Sequence, residues 1–218
     1  MPRSKFDREL KRIKEDLKAM SKLVQENLSD AMTALRNRDM EIYSKVIKLD
    51  MEEIDVLYRE IEELCIQTIA LHQPVAGDLR FISTAMIVVA NLERIGDYSK
   101  DIAQVIPFIE DEPPVDDIEE ILQEMGKLGV VMTRHAMNSF VNKNKKYVDK
   151  VNIDEEKIDA LYGGIFPKLK ERAGTTRDSC SITLNLLLAA RYLERIGDHA
   201  VNISKRSMFV INGAWKYI

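Results

Sequence analysis

Apolar residues recur every three or four positions along almost the whole chain, and no long stretch alternates with a period of two. This spacing puts the apolar side chains on one stripe of an α-helix, whereas alternation would indicate strands. In the first segment the stripe runs from Leu10 to Leu35. Residues 37–39 interrupt it, and Asp39 is expected to cap the next helix. The pattern predicts an all-α protein.

Three helices are predicted on each side of an acidic, proline-containing linker, Glu112-Pro113-Pro114. In the first half, the second helix ends before Pro74 and the third is capped by Asp78 and continues through Ile109. In the second half, helices are predicted near residues 115–142, 145–172 and 177–211. Gly163, Gly164 and Pro167 are expected to kink the fifth helix, while the matching helix of the first half is expected to be regular.

A long helix with one apolar stripe cannot bury that stripe alone. Three such helices joined by short loops bury their stripes against one another as an antiparallel bundle. The predicted fold is therefore two tandem three-helix bundles packed side by side, with domains at residues 1–110 and 115–213. At 218 residues the chain is long enough for a sizeable core.

One hexapeptide occurs twice without change. Leu-Glu-Arg-Ile-Gly-Asp spans residues 92–97 and again residues 193–198. A second echo relates the segment from Asp50 to Tyr58 to the segment from Asp154 to Tyr162. Two echoes about a hundred residues apart indicate a tandem duplication, which places the same pair of carboxylates in each copy.

The repeated carboxylates form a ladder on one side of a helix. At about 100° per residue, Glu93, Asp97 and Asp101 lie at successive turns, away from the apolar stripe and toward solvent. The second copy repeats the arrangement with Glu194, Asp198 and Asn202. Stacked like charges destabilise a helix, so a compensating cation is one interpretation. Oxygen ligands alone suit hard ions such as magnesium, manganese, calcium or iron.

The alternative interpretation of the ladder is a solvated, salt-bridged helix face. Arg94 and Arg195 can pair with the aspartates three residues further on. Lys100 can assist in the first copy, but Val201 stands in its place in the second. The spacing alone leaves both interpretations open.

Composition and the remaining motifs narrow the possible functions. A net charge of −4 argues against nucleic acid as the main partner. The longest apolar runs are too short to span a membrane, and Cys65 and Cys180 in apolar segments predict buried, reduced thiols. We therefore expect a cytoplasmic protein. No phosphate loop, nucleophile elbow or Cys/His cluster is present, and His199 is expected on a helix surface, so no enzyme is indicated.

The doubled hexapeptide in the third and sixth predicted helices closely resembles the PhoU family of phosphate-transport regulators. Further matches are the segment from Gln73 to Arg80, after the second helix, and the acidic double-proline linker. The resemblance covers essentially the whole chain, from Phe6 to about Gly213. It implies two three-helix bundles, in agreement with the hydrophobic pattern.

The resemblance also implies candidate metal sites, because some family members carry multinuclear clusters on acidic pairs of two neighbouring helices. The implied metals are iron, manganese, magnesium or zinc. The matching residues of the second copy are Glu155, Asp159, Glu194, Asp198 and Asn202. Those of the first copy are Asp55, Glu93, Asp97 and Asp101. The remaining position of the first copy is Met51, which removes one carboxylate, with Asp50 and Glu52 as the alternative acids beside it. We expect the second site to hold more acidic ligands.

The resemblance implies negative regulation of phosphate uptake and of the phosphate-starvation response. The expected role is an adaptor between the ATPase subunit of the phosphate ABC transporter and a membrane sensor histidine kinase. A homodimer is expected, with membrane association only through these partners. The alternative function is a metal store or metalloenzyme that uses the carboxylate ladders.

Overall fold

The computed structural model describes residues 3–172 and 177–213, and this part of the chain is helical and contains no strand. The helices are α1 (Arg3–Asn37), α2 (Met40–Leu49), α3 (Asp55–His72), α4 (Ala76–Ala103), α5 (Asp116–Val141), α6 (Lys145–Arg172) and α7 (Arg177–Asn212). A π-helical turn, Asp50–Ile54, joins α2 and α3 into one long helix, and a 3-10 turn, Ile106–Phe108, follows α4. The all-α prediction is confirmed.

The helices form two three-helix bundles that share one core. Helices α1, α3 and α4 pack together, and so do α5, α6 and α7. Between the bundles, α1 lies on α5 and α4 lies on α7. Buried residues of both halves belong to a single apolar cluster, and the Phe81 and Phe140 rings stack across the halves at 4.9 Å. The predicted side-by-side arrangement is confirmed.

The helix starts follow the sequence signals only in part. Asp39 caps α2 as predicted, because its carboxylate accepts hydrogen bonds of 2.9 Å from the Glu41 and Ile42 amides. The prediction for Asp78 is wrong, since α4 begins at Ala76, and Val75 precedes it without a side-chain cap. Asp78 lies instead in the first turn, where the helix dipole favours a carboxylate.

The middle helix of the first half departs from regular α-helix geometry, while the kink expected in α6 stays a prediction. Helix α6 continues without a break through Gly163, Gly164 and Pro167. The corresponding helix of the first half is not regular, because it contains the π turn at Asp50–Ile54. The expectation of a regular first-half helix is therefore wrong. A π turn adds a residue to one helical turn and so rotates the side chains that follow it around the helix. Such turns are frequent at functional sites.

The two cysteines have different environments. Cys65 is fully buried as predicted, and burial raises the pKa of its thiol to about 12. Cys180 is exposed, so the prediction of two buried thiols is wrong. Cys180 lies in the first turn of α7, where Ile182 occupies the buried face instead. In the described ranges, no helix is long and apolar enough to cross a membrane.

Candidate functional site

The two copies of the hexapeptide lie on α4 and α7, the helices that pack against each other between the bundles. Just outside the hexapeptides, Asn91 and His199 share a hydrogen bond of 2.8 Å, and the Tyr98 and Tyr192 rings stack at 5.8 Å. Asn91 and Tyr192 occupy the position just before each hexapeptide, and Tyr98 and His199 the position just after it. Each contact joins a preceding residue of one copy to a following residue of the other, so the two contacts are related by an approximate two-fold axis. His199 is thus an inter-bundle contact, and its prediction as a surface histidine is wrong.

The first acidic cluster consists of Asp50, Asp55, Glu93, Asp97 and Asp101. It is drawn from the π turn, α3 and α4. The Lys100 ammonium lies 2.5 Å from Asp50 Oδ2 and 2.8 Å from Asp97 Oδ1. Burial and the charges of Asp97 and Asp55 raise the pKa of Glu93 to about 7. The α3 and α4 carboxylates of this cluster therefore face one another.

The second acidic cluster consists of Glu155, Asp159, Glu194 and Asp198. It is drawn from α6 and α7. Burial, followed by the charges of Asp198 and Asp159, raises the pKa of Glu194. Burial also raises the pKa of Glu155, which faces Asp159, Asp198 and Lys205. The predicted ligand Asn202 lies one turn beyond Asp198, on the exposed side of α7.

The hexapeptide arginines pair with the aspartates as the salt-bridge interpretation predicts. Nη1 of Arg94 lies 3.0 Å from Asp97 Oδ2, and Nη1 of Arg195 lies 3.0 Å from Asp198 Oδ2. However, the acids are not freely solvated, because the side chains of Glu93 and Glu194 are only 21% and 17% exposed. The expectation that the ladder faces solvent is therefore wrong for the two glutamates, whereas Asp198 is 42% exposed and Asn202 is exposed.

Neither cluster is preassembled around an ion. Among the described residues, no three Asp, Glu, His or Cys side chains are placed so that they could hold a metal ion. The second cluster nevertheless has suitable donors. Glu194 Oε2 is buried without a hydrogen-bond partner, and in the described part of the chain Glu155 and Asp159 have no side-chain hydrogen bond or ion pair.

The structure gives a central place in the first cluster to Asp50, which the sequence offered only as a substitute for the acid missing at position 51. Asp50 is fully buried and contacts Lys100, fifty positions away in the chain. Lys100 was recognisable only as a partner of Asp97 at i+3. Met51, where the first copy lacks the acid that the resemblance implies, is 60% exposed and lies in the π turn.

We expect Arg94→Ala and Arg195→Ala each to lower the free energy of unfolding by only about 0–1 kcal/mol. The two guanidinium side chains are 60% and 44% exposed, so solvent screens their ion pairs. Urea unfolding at low and high salt is the measurement. A loss of several kcal/mol from either variant would contradict the exposed placement of these arginines.

The raised pKa of Glu93 predicts a pH-dependent effect of Glu93→Gln. The folded state holds the Glu93 proton more tightly than the unfolded state, whose pKa is near the ordinary 4.5. The wild type therefore loses stability as pH rises from about 4.5 to about 7. With EDTA present, we expect the variant to gain on the order of 1 kcal/mol over wild type at pH 8, and little at pH 4.5. Exposed Glu60→Gln is the control, and an equal gain at both pH values would contradict the prediction.

Comparisons with known proteins agree with the fold. A family model described as the PhoU domain matches residues 17–106 and residues 122–207. A phosphate-specific transport system accessory protein PhoU homolog from Clostridium acetobutylicum is 32% identical over 98% of this chain and 97% of that protein. PhoU homolog 1 of Thermotoga maritima is 33% identical, over 95% of this chain and 89% of its own length.

Solved structures show the same architecture. The crystal structure of PhoU from Pseudomonas aeruginosa superposes with a TM-score of 0.90 at 29% identity, covering 96% of this chain and all of that one. The phosphate transport system regulatory protein PhoU from Streptococcus pneumoniae gives a TM-score of 0.88 at 27% identity, over 98% of this chain.

Proposed function

The chain belongs to the PhoU family, and on this basis we propose that it is a negative regulator of phosphate uptake and of the phosphate-starvation response. The observation that carries the proposal is the match of both repeats, over nearly the full chain, to accessory proteins of phosphate transport systems. The protein acts by binding, in the cytoplasm, as a homodimer. It connects the ATPase subunit of the phosphate ABC transporter to the membrane sensor histidine kinase.

An adaptor needs exposed helical faces rather than an active-site cleft, and α3, α6 and α7 each have one. Large apolar side chains are exposed on α3 at Ile66, on α6 at Phe166, and one turn apart on α7 at Leu184 and Leu188. Single exposed apolar side chains are common on soluble proteins, but the neighbouring Leu184 and Leu188 form the contiguous kind of apolar surface that partners contact. This pair supports a binding role.

Deletion of the gene tests the regulatory role. We expect a reporter driven by a phosphate-starvation promoter to stay active in phosphate-rich medium, because the restraint on the kinase is lost. A plasmid copy of the wild-type gene should restore repression. A reporter that remains repressed in the deletion strain would contradict the proposal.

We further propose that the second acidic cluster binds a divalent metal ion through Glu155, Asp159, Glu194 and Asp198. The support is the buried Oε2 of Glu194, which accepts no hydrogen bond among the described residues and has the Arg195 Nε at 3.8 Å, and the hard oxygen donors of Glu155, Asp159 and Asp198. Iron, manganese and magnesium suit these donors better than zinc. A bound cation would neutralise the crowded carboxylates and hold α6 against α7.

Metal analysis by mass spectrometry tests this site. We expect purified Asp198→Ala to lose the metal that the wild type carries, and Asp97→Ala in the first cluster to retain it. Equal loss in both variants, or a wild type without metal after reconstitution with manganese or iron, would contradict the second-cluster site and favour the salt-bridged face.

A further inference from the structure

The first acidic cluster already contains a cation. The Lys100 ammonium contacts Asp50 Oδ2 at 2.5 Å and Asp97 Oδ1 at 2.8 Å. The Asp50 side chain is only 1% exposed and that of Lys100 is 20% exposed. This arrangement differs from the solvated ion pairs elsewhere on the surface. The buried Asp50 carboxylate is shielded from water, so the Lys100 ammonium is the main group that neutralises it.

The backbone around Asp50 is adapted to this contact. Asp50 is the first residue of the π turn, and Gly96 of α4 lies against its carboxylate. A Cβ atom at Gly96 would lie 2.9 Å from Asp50 Oδ1 and 3.1 Å from Ile54 Cγ2, so the glycine leaves room for the acid. The π turn, the glycine and the lysine together keep Asp50 inside the first cluster.

The second cluster has no equivalent of this lysine. Val201, which is 2% exposed, occupies the position that corresponds to Lys100. Asp154, which corresponds to Asp50, points elsewhere and pairs with Lys157 at 2.7 Å and with His135 at 3.5 Å. Among the described side chains, no lysine forms an ion pair with the four acids of the second cluster, and its arginine partners are 39% and 44% exposed.

We propose that Lys100 is the resident cation of the first acidic cluster and that this cluster therefore does not bind a divalent metal ion. A metal ion would meet the ammonium's repulsion and would have to displace it from Asp50 and Asp97, leaving a lysine charge without its partners. The cause of the difference between the clusters is thus Lys100 rather than the missing acid at Met51. This inference does not depend on the regulatory role of the protein.

Manganese titration calorimetry on variants of the full chain tests the proposal. The starting protein is Glu194→Gln/Asp198→Asn, in which the second cluster is disabled. We expect it to show no saturable Mn²⁺ binding. Adding Lys100→Gln, which removes the charge but keeps a hydrogen-bond donor, should create saturable Mn²⁺ binding where the starting protein has none. Adding Asp97→Asn as well should abolish it.

Two further variants make the result independent of how well Lys100→Gln folds. Lys100→Arg keeps the positive charge and should leave Mn²⁺ binding absent. Met51→Glu changes an exposed position and supplies the missing acid, yet it should also create no site while Lys100 is present. Saturable binding in the starting protein that is lost with Asp97→Asn would overturn the proposal. So would a gain from Met51→Glu alone, or a folded Lys100→Gln protein that gains no binding.

Discussion

Replacing Arg38 with methionine should lower the free energy of unfolding by about 3–5 kcal/mol. The Arg38 guanidinium pairs with Glu119, and the two side chains are 10% and 7% exposed. Arg38 also donates to the backbone carbonyls of Leu35, at the end of α1, and Ile109, before the linker. Without the arginine, Glu119 keeps a buried charge whose one remaining hydrogen bond within residues 3–172 and 177–213 is from the Val115 amide at 3.1 Å. Urea unfolding measures the loss.

The control for Arg38 is an exposed ion pair near the same helix. Lys168→Met removes one of the two basic partners of Asp117, and the Lys168 and Asp117 side chains are 41% and 47% exposed, so we expect a loss of at most about 1 kcal/mol. The double variant Arg38→Met/Glu119→Leu should recover most of the loss, because it removes both buried charges. A double variant as unstable as Arg38→Met alone would show that packing of the linker, rather than the unpaired charge, causes the effect.

The second large effect concerns the glycine of the repeated hexapeptide. Gly96→Ala should destabilise the protein by about 1–3 kcal/mol, because the new methyl group would lie 2.9 Å from the buried Asp50 carboxylate. Gly197→Ala changes the same position of an identical hexapeptide. Its methyl group would meet Ile158 at 3.4 Å, an ordinary contact, so we expect no loss and a gain of up to about 1 kcal/mol from helix propensity.

Thermal and urea unfolding of the two alanine variants compare the sites directly. The local sequence is the same in both, so a difference reports only what packs against it. Equal effects of Gly96→Ala and Gly197→Ala would contradict the close approach of the π turn to α4. They would also weaken the argument that Asp50 is held inside the first cluster.

Much of the fold could be predicted from local signals. The spacing of apolar residues at three and four predicts the helices, and each apolar stripe, beginning with the one at Leu10, must pack against another helix. The repeated hexapeptide places Glu93 and Glu194 at equivalent positions of two bundles, and the structure has both beside an acidic neighbouring helix. Asp39 could be identified as a cap because capping is a contact between neighbours in the chain.

The features that could not be predicted depend on contacts between distant residues. The segments 50–55 and 154–159 have similar sequences, but only the first forms a π turn, where Asp50 meets Gly96 and Lys100 of α4. The bond between His199 and Asn91 likewise joins the two bundles. A local sequence pattern cannot predict such contacts, because they depend on how distant segments pack in the folded protein.

The central claim is that the protein works by binding components of the phosphate transport and sensing systems. An affinity pull-down of the tagged chain from phosphate-replete cells tests it most directly, with a tagged unrelated helical protein as the control. We expect mass spectrometry to identify the ATPase subunit of the phosphate transporter and the sensor histidine kinase specifically with this chain. Recovery of neither protein, while the tagged chain is folded and abundant, would contradict the claim.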